Sequence, residues 1–326
     1  MCKVKTKFTV TLFFLVMLFV FITPLRSNAN MRINIATATT GGSYYPGGIA
    51  LAQLWSEKDV ANASASTSSG SVENVSLLMG NEANVVACQS NILQYAYEGI
   101  ETYQGKPHPQ LRILSPNFSQ PYQFVVKKSS NLESISGWKG KKIVVGRVGS
   151  GTFVTHERIF KVFGINISDI KANNIGQSEG IDAIRNGLAD AAICIGIVPL
   201  APISDALAAP GSDVTIYSLN EKEIQSILEQ NVWMSPMTIP AGSYKGLDHD
   251  VETIGHVGFW IVRDDFPEDV AYNLVKAMHE NADWLKTAYS GYDNPSFLQP
   301  ATVINRMPVP VHPGALRYYK EVGLLK

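Results

Sequence analysis

The stretch RINIATATTGGSYYPGGIALAQLW, residues 32–55, decides the fold. Residues 32–37 are typical of a short strand, two glycines follow at 41 and 42, and residues 46–55 are apolar enough to form a packed helix. The segment KIVVGRVGSGTF, residues 142–153, repeats this order of strand, glycine turn and helix. Strands that alternate with helices predict parallel α/β sheets, and two such halves predict two lobes.

Further segments extend both halves. Buried strands are predicted at 84–88 and 190–195, each after a helix that ends near a glycine. Two apolar runs, 123–127 and 258–262, are candidates for chain crossings between the lobes. We therefore predict lobe I from residues 30–122 and lobe II from residues 123–257, with residues 258–326 returning to lobe I. A helix that starts at Pro267 places an apolar stripe on one face and packs that return.

The first 29 residues have the three parts of a secretory signal peptide. Three lysines precede an uncharged apolar run over residues 8–22, and a polar stretch ends at Ser27-Asn28-Ala29, a small-x-small cleavage signal. A run of about 15 residues is short of the roughly 20 that span a bilayer. The sequence thus predicts export to the periplasm with cleavage after residue 29.

Composition narrows the possible partners. Removing residues 1–29 takes away four basic residues and no acidic ones, so the 27 basic residues fall to 23 against 28 acidic ones. A mildly acidic chain without a basic block argues against a nucleic-acid partner. Cys88 and Cys194 end strand-like runs and are interpreted as buried apolar residues, although export would permit a disulfide.

The two glycine turns carry the strongest functional signal. Residues 37–46 and 149–152 combine glycines, hydroxyls and helix starts, and such turns lie at the carboxyl ends of parallel strands, where ligands bind. A helix N-terminus contributes about half a positive charge. Two such turns that face each other across a cleft predict a site for a small anion such as a carboxylate.

Catalytic and cofactor motifs are not matched. GRVGSGT, residues 146–152, lacks the lysine of a phosphate-binding loop, and Val154 stands where a dinucleotide fingerprint needs its third glycine. Phe160 replaces the second histidine of a His-Glu-x-x-His zinc motif. Residues 248–250, Asp-His-Asp, are interpreted as a solvated turn. We therefore predict no enzyme, no cofactor and no metal, with an enzyme or a sensor on the same scaffold as the alternatives.

Four segments together resemble the TAXI family of TRAP-transporter solute receptors. They are residues 40–46 (TGGSYYP), 70–74 (GSVEN), 149–152 (GSGT) and 309–315 (VPVHPGA), in the family's order over nearly the whole exported chain. The resemblance implies an α/β, type II periplasmic-binding-protein fold with two lobes around a hinged ligand cleft. It also implies a receptor that delivers a glutamate-, glutamine- or 2-oxoglutarate-like solute to an ion-driven membrane permease. We expect a monomer, and the histidine of the last segment is expected to be structural.

The resemblance and the turns give one expected ligand-binding set. Between Tyr44 and Tyr45, the first is expected nearer the ligand. Arg147 is expected either to face the cleft and pair with a distal carboxylate or to remain a solvated surface residue. The full predicted set is Thr39, Gly42, Ser43, Tyr44, Ser69, Ser71, Gln89, Arg147, Ser150, Gly151, Thr152, Gly196 and Pro199.

Overall fold

The computed structural model describes residues 31–326, so the predicted signal peptide lies outside the described residues. The strands are β1 Arg32–Ala36, β2 Asn62–Ser66, β3 Val85–Gln89, β4 Leu111–Lys127, β5 Lys142–Val144, β6 Lys171–Asn173, β7 Ala191–Ile195, β8 Val214–Tyr217, β9 Ser235–Ile239 and β10 Val251–Arg263. The helices are α1 Tyr44–Glu57, α2 Ser71–Met79, α3 Ser90–Glu98, α4 Gly151–Val162, α5 Gln177–Arg185, α6 Ala201–Ala208, α7 Glu221–Gln230, α8 Glu268–Glu280, α9 Ala282–Ala288, α10 Pro295–Leu298, α11 Ala301–Ile304 and α12 Pro313–Glu321. No helix within residues 31–326 is both long enough and apolar enough to span a bilayer.

The strands follow the order β2-β1-β3-β10-β4-β7-β5-β6, with β8 beside β4 and β9 beside β10. At each end of this order three strands run parallel, β2-β1-β3 on one side and β7-β5-β6 on the other. The central strands β4 and β10 pair antiparallel with each other over residues 111–121 and 255–263. Both strands are long enough to serve the two halves, which makes them the connection between the lobes.

Three apolar clusters define the two lobes. One cluster joins buried residues of 33–118 with those of 259–325 and forms lobe I. Two clusters within 122–254 cover the two faces of the second sheet and form lobe II. Tyr122 packs in lobe II, one residue before the predicted boundary, because the apolar side chains of β4 change sheets there.

The predicted return to lobe I is helical. In α8 the side chains of Val270, Leu274, Ala277 and Met278 are buried, which is the face that the apolar spacing predicts. The last helix, α12, packs against α8. His312 caps α12, since its Nδ1 accepts from the Gly314 N–H at 3.3 Å while its Nε2 lies 2.9 Å from the Phe266 carbonyl oxygen. This histidine is structural, as predicted.

Side chains from helix α2 fasten the sheet edge that carries the first glycine turn. Asn74 is fully buried, and its Nδ2 donates to the carbonyl oxygens of Thr37 and Ala87, each at 2.7 Å. The Thr37 carbonyl directly follows β1, and the Ala87 carbonyl lies within β3. A buried amide that joins two neighbouring strands fixes the place where the cleft is built.

Candidate functional site

Five helices begin around one cavity between the lobes. From lobe I, α1, α2 and α3 present Tyr44, Ser71 and Gln89 at their starts; from lobe II, α4 and α5 present Gly151 and Gln177. Each helix N-terminus carries unpaired N–H groups and about half a positive charge. At four of these five helices, all except α4, no side chain caps the first turn. The cavity is therefore electropositive without many cationic side chains.

The charge of the lining side chains also favours an anionic ligand. Among the described residues that line this cavity, Arg147 alone carries a charge, and no carboxylate lies there. Ala38, Ile175 and Ile195 add apolar wall between the hydroxyl and amide groups. This combination suits an anion with a short carbon skeleton.

The structure brings eleven of the thirteen predicted residues to this cavity. They are Thr39, Gly42, Ser43, Tyr44, Ser69, Ser71, Gln89, Arg147, Ser150, Gly151 and Thr152. The other two, Gly196 and Pro199, lie outside its lining. Gly196 instead allows a close approach of the lobes, because a Cβ there would lie 2.5 Å from the Ser43 Oγ. Pro199 lines a neighbouring cavity that shares Gly42.

Tyr44 lies in the cavity wall, and Tyr45 does not line the cavity. The Tyr44 hydroxyl accepts from the Gln120 Nε2 at 2.9 Å. Burial raises the pKa of Tyr44 far above its usual value, so the phenol keeps its proton. The hydroxyl therefore remains a hydrogen-bond donor as well as an acceptor.

Arg147 occupies the rim of the cavity rather than its interior. Its guanidinium forms a salt bridge with Glu179 at 2.8 Å, and both side chains are about half exposed. Glu179 belongs to α5 of the same lobe. Each of the two alternatives predicted for Arg147 is therefore met in part. The residue lines the cavity, but its side chain is half exposed and already pairs with a carboxylate of the protein.

Direct contacts close the cleft. The Ile197 N–H donates to the Ser43 Oγ at 2.8 Å, and the Glu73 N–H donates to the Gly149 carbonyl oxygen at 3.0 Å. Farther along the interface, Arg158 pairs with Glu101 at 2.7 Å. Each of these contacts joins lobe I to lobe II, so the structure shows the lobes in their closed arrangement.

Sequence reasoning missed two glutamines in the lining, Gln120 and Gln177. Gln177 is held by β7, since its Oε1 accepts from the Ile195 N–H at 2.7 Å and its Nε2 donates to the Ile195 carbonyl oxygen at 3.2 Å. A signal for Gln177 existed, because it follows the end of β6 and Gly176 at the same sheet edge as the other turns. Gln120 lies within a long strand, where no local pattern marks it.

The candidate metal and disulfide residues lie elsewhere. His249 pairs with Asp248 at 2.9 Å in an exposed turn, and residues 31–326 hold no cluster of three or more histidine, cysteine or carboxylate side chains placed to bind a metal. Cys88 and Cys194 are free and buried, as the sequence predicted. The disulfide alternative does not hold in this structure.

Comparison with known proteins places this geometry in a family. The sequence profile of the NMT1-like family matches residues 35–323, nearly all of the described chain. The chain belongs to the NMT1-like family. This family supports the coarse part of the sequence prediction, a periplasmic solute-binding protein that serves small-molecule transport.

Solved structures of other proteins share this fold. A protein from Bordetella bronchiseptica RB50 is 17% identical, with a TM-score of 0.51, over 91% of this chain and 90% of that one. MatC from Rhodopseudomonas palustris, solved with bound malate, is 12% identical, with a TM-score of 0.53, over 90% of this chain and 97% of that one. At these identities the likeness concerns the fold. The predicted two-lobed periplasmic-binding fold is confirmed.

Proposed function

We propose that this NMT1-like protein is the extracytoplasmic receptor of a TRAP-type secondary transporter and captures a small anionic metabolite between its lobes. The main support for an anionic ligand is that five helix N-termini meet at one cavity. The residues that line this cavity include one cation and no carboxylate. Glutamate, glutamine and 2-oxoglutarate are the solutes that the TAXI resemblance suggests. The malate in MatC is an example of a dicarboxylate held by the same scaffold.

A receptor accounts for the lining better than an enzyme does. Apart from the guanidinium of Arg147, its polar groups are hydroxyls, amides and backbone N–H groups, which suit the binding and orientation of a ligand. The lining residues within 31–326 include no histidine, cysteine or lysine to serve as a poised base or nucleophile. Closure follows from ligand contacts with both lobes, because a ligand stabilises the state to which it binds better.

Thermal melting of residues 30–326 against a panel of solutes tests the ligand class. The panel contains glutamate, glutamine, 2-oxoglutarate, malate and glucose. A ligand present at about 100 times its Kd adds about 2.7 kcal/mol of stability, which is a shift of several degrees for a chain of this length. We expect a shift with acidic metabolites and none with glucose. A shift with glucose alone would contradict the proposal.

A matched pair of variants tests whether the helix N-termini attract the anion. Thr152→Asp places a carboxylate in the first turn of α4, where it stabilises the helix but repels an anionic ligand. Thr152→Asn has nearly the same shape and no charge. We expect Thr152→Asp to abolish the melting shift and Thr152→Asn to keep part of it. If both variants bind the acid equally, the electropositive cavity is not the binding site.

Export and coupling are tested separately. Secreted protein should have the mass of residues 30–326, and fractionation should find it in the periplasm as a monomer. In vesicles that hold the partner permease, uptake should require this receptor and an ion gradient. Uptake that follows ATP instead would refute the TRAP assignment while leaving the receptor role in place.

A further inference from the structure

A second cavity, of about 200 Å³, lies at the connection between the lobes and shares no lining residue with the cleft. Lobe II contributes residues from the segment after α7 and from β9, lobe I contributes residues from α3 and α11, and β10 passes between them. An apolar cavity of about 150 Å³ can hold benzene, so this cavity has room for one aromatic ring. Its apolar wall consists of Val232, Trp233, Met237, Val257, Phe259, Val303 and Met307.

Two buried polar atoms in this hinge pocket have no partner. Ser90 is 5% exposed and His256 is 2% exposed, and neither the Ser90 Oγ nor the His256 Nε2 makes a hydrogen bond to the described residues. Buried polar groups are nearly always paired, and an unpaired one costs about 1–3 kcal/mol. Both residues line the same cavity, so a ligand there is the candidate partner for the two atoms.

His256 is neutral and uses one ring nitrogen to contact Tyr122. Its Nδ1 lies 2.8 Å from the Tyr122 hydroxyl. Burial lowers the pKa of His256 to about 3, so the ring is neutral. The hydrogen of this contact belongs either to the phenol or to Nδ1, so Nε2 is a donor in one tautomer and an acceptor in the other. Because the two ring nitrogens point in nearly opposite directions, Nε2 is turned away from Tyr122.

A cation stands at the outer end of the same pocket. Arg306 is exposed and lines the cavity, and no salt bridge within residues 31–326 involves it. The pocket thus offers an unpaired cation outside, an apolar slot for a ring, and two hydrogen-bonding groups inside. A phenolic hydroxyl both donates and accepts, so it suits the Ser90 Oγ and the His256 Nε2 in either ring tautomer.

We propose that the hinge pocket is a second ligand site that takes a one-ring aromatic acid carrying a ring hydroxyl, with the carboxylate on Arg306 and the hydroxyl against Ser90 and His256. The site is separate from the anion cleft, but hydrogen bonds connect the two regions. Asn91, next to Ser90, donates from its Nδ2 to the Thr155 Oγ1 at 3.1 Å, and the Thr155 hydroxyl donates to the cleft residue Gln89. A ligand here contacts both lobes.

Methionine methyl NMR gives a direct readout with 4-hydroxybenzoate as the probe. Within residues 31–326, Met237 and Met307 line the pocket, while Met31, Met79, Met234 and Met278 do not. An aromatic ring in the pocket should shift the signals of Met237 and Met307 and leave Met79 and Met278 in place. Absence of any shift at millimolar probe, or shifts confined to other methionines, would overturn the proposal.

Calorimetry with three probes assigns each polar contact. We expect Ser90→Ala to weaken 4-hydroxybenzoate by about 5-fold and to leave benzoate nearly unchanged. Arg306→Gln should weaken both acids but leave 4-hydroxybenzyl alcohol, which has no carboxylate. Equal losses for all three probes in either variant would contradict the assigned contacts.

Two further variants separate this site from the cleft. Val303→Trp fills the pocket from α11 and should abolish binding of all three probes; persistent binding would overturn the site. Thr152→Asp, which disables the cleft, should leave 4-hydroxybenzoate binding intact. Loss of the probe in Thr152→Asp would instead place it in the cleft, so that the failure of one proposal is distinguishable from the failure of the other.

Discussion

The two glycine turns look alike in sequence but use their serines differently. Ser43 precedes α1 and Ser150 precedes α4. The Ser150 Oγ accepts from the Phe153 N–H at 3.0 Å and caps its own helix. The Ser43 Oγ makes no cap and accepts instead from the Ile197 N–H of the other lobe at 2.8 Å. One serine holds a helix, and the other ties the lobes together.

Backbone geometry explains this difference. Ser150 has φ −92° and ψ 147°, the extended conformation from which an N-cap side chain reaches the first turn. Ser43 has φ −74° and ψ −27°, which is already helical. Its side chain is directed away from the N–H groups of α1 and is free to bond across the cleft. Residue type alone therefore does not determine the role of a turn serine.

Gly41→Ala should have the largest effect, because it blocks closure at the first turn. A Cβ at position 41 would lie 2.0 Å from the Ser178 Oγ and 2.9 Å from the Ser178 backbone nitrogen, both across the cleft. Overpacking of this kind costs about 1–3 kcal/mol, so we expect ligand affinity to fall by about 10-fold or more. Calorimetry with the cleft ligand measures this loss.

Gly137→Ala is the matched control for Gly41→Ala, because the nearest atom to its added Cβ is 3.8 Å away. Melting without ligand should be similar for both variants. A Gly41→Ala protein that binds as tightly as Gly137→Ala would show that the lobes need not meet at the first turn.

Ser150→Ala against Ser43→Ala tests the contrast between the two serines. Loss of the Ser150 cap should lower the free energy of unfolding by about 1 kcal/mol, whereas Ser43 caps nothing and its replacement should change it much less. Urea denaturation without ligand measures both. Equal destabilisation by the two substitutions would remove the distinction.

Arg147→Ala tests a further difference between the two glycine turns, and its expected effect is smaller. Only the second turn, at 149–152, closely follows a cationic residue. The Arg147–Glu179 pair is half exposed, so its loss should change stability by less than about 1 kcal/mol. We expect dicarboxylates to lose about 3-fold more affinity than monocarboxylates, because a second carboxylate can compete with Glu179 for the guanidinium.

Lys276→Ala, which breaks a surface pair on α8, is the control for Arg147→Ala. It should leave both kinds of acid unaffected. Equal losses for monocarboxylates and dicarboxylates in Arg147→Ala would assign the arginine to the rim surface alone.

The sequence predicts those features of the fold and site that depend on local contacts, and it does not predict those that depend on how the lobes meet. The turns at 40–43 and 149–152 were predictable because parallel strands end at one edge of a sheet. The closing contact from Ile197 to Ser43 was not, since it depends on how two lobes meet, and no spacing encodes that. The same holds for Gln120, whose place in the cavity comes from the crossing of β4 between the lobes, and for the hinge pocket that β10 adjoins.

Reduction of the cysteines has the smallest expected effect on stability. Because each lobe holds one cysteine, their labelling also compares the two lobes. Cys88 lies in β3 of lobe I and Cys194 in β7 of lobe II, and both are free and buried. Burial raises the pKa of the Cys194 thiol to about 12 and that of Cys88 further, so neither thiol reacts readily while folded. Reductant should therefore leave the melting temperature of residues 31–326 unchanged, and a thiol reagent should label both cysteines together, on unfolding. Labelling of one cysteine in the folded protein would show that one lobe opens locally where the other does not, and the two halves would then differ in stability as well as in the use of their serines.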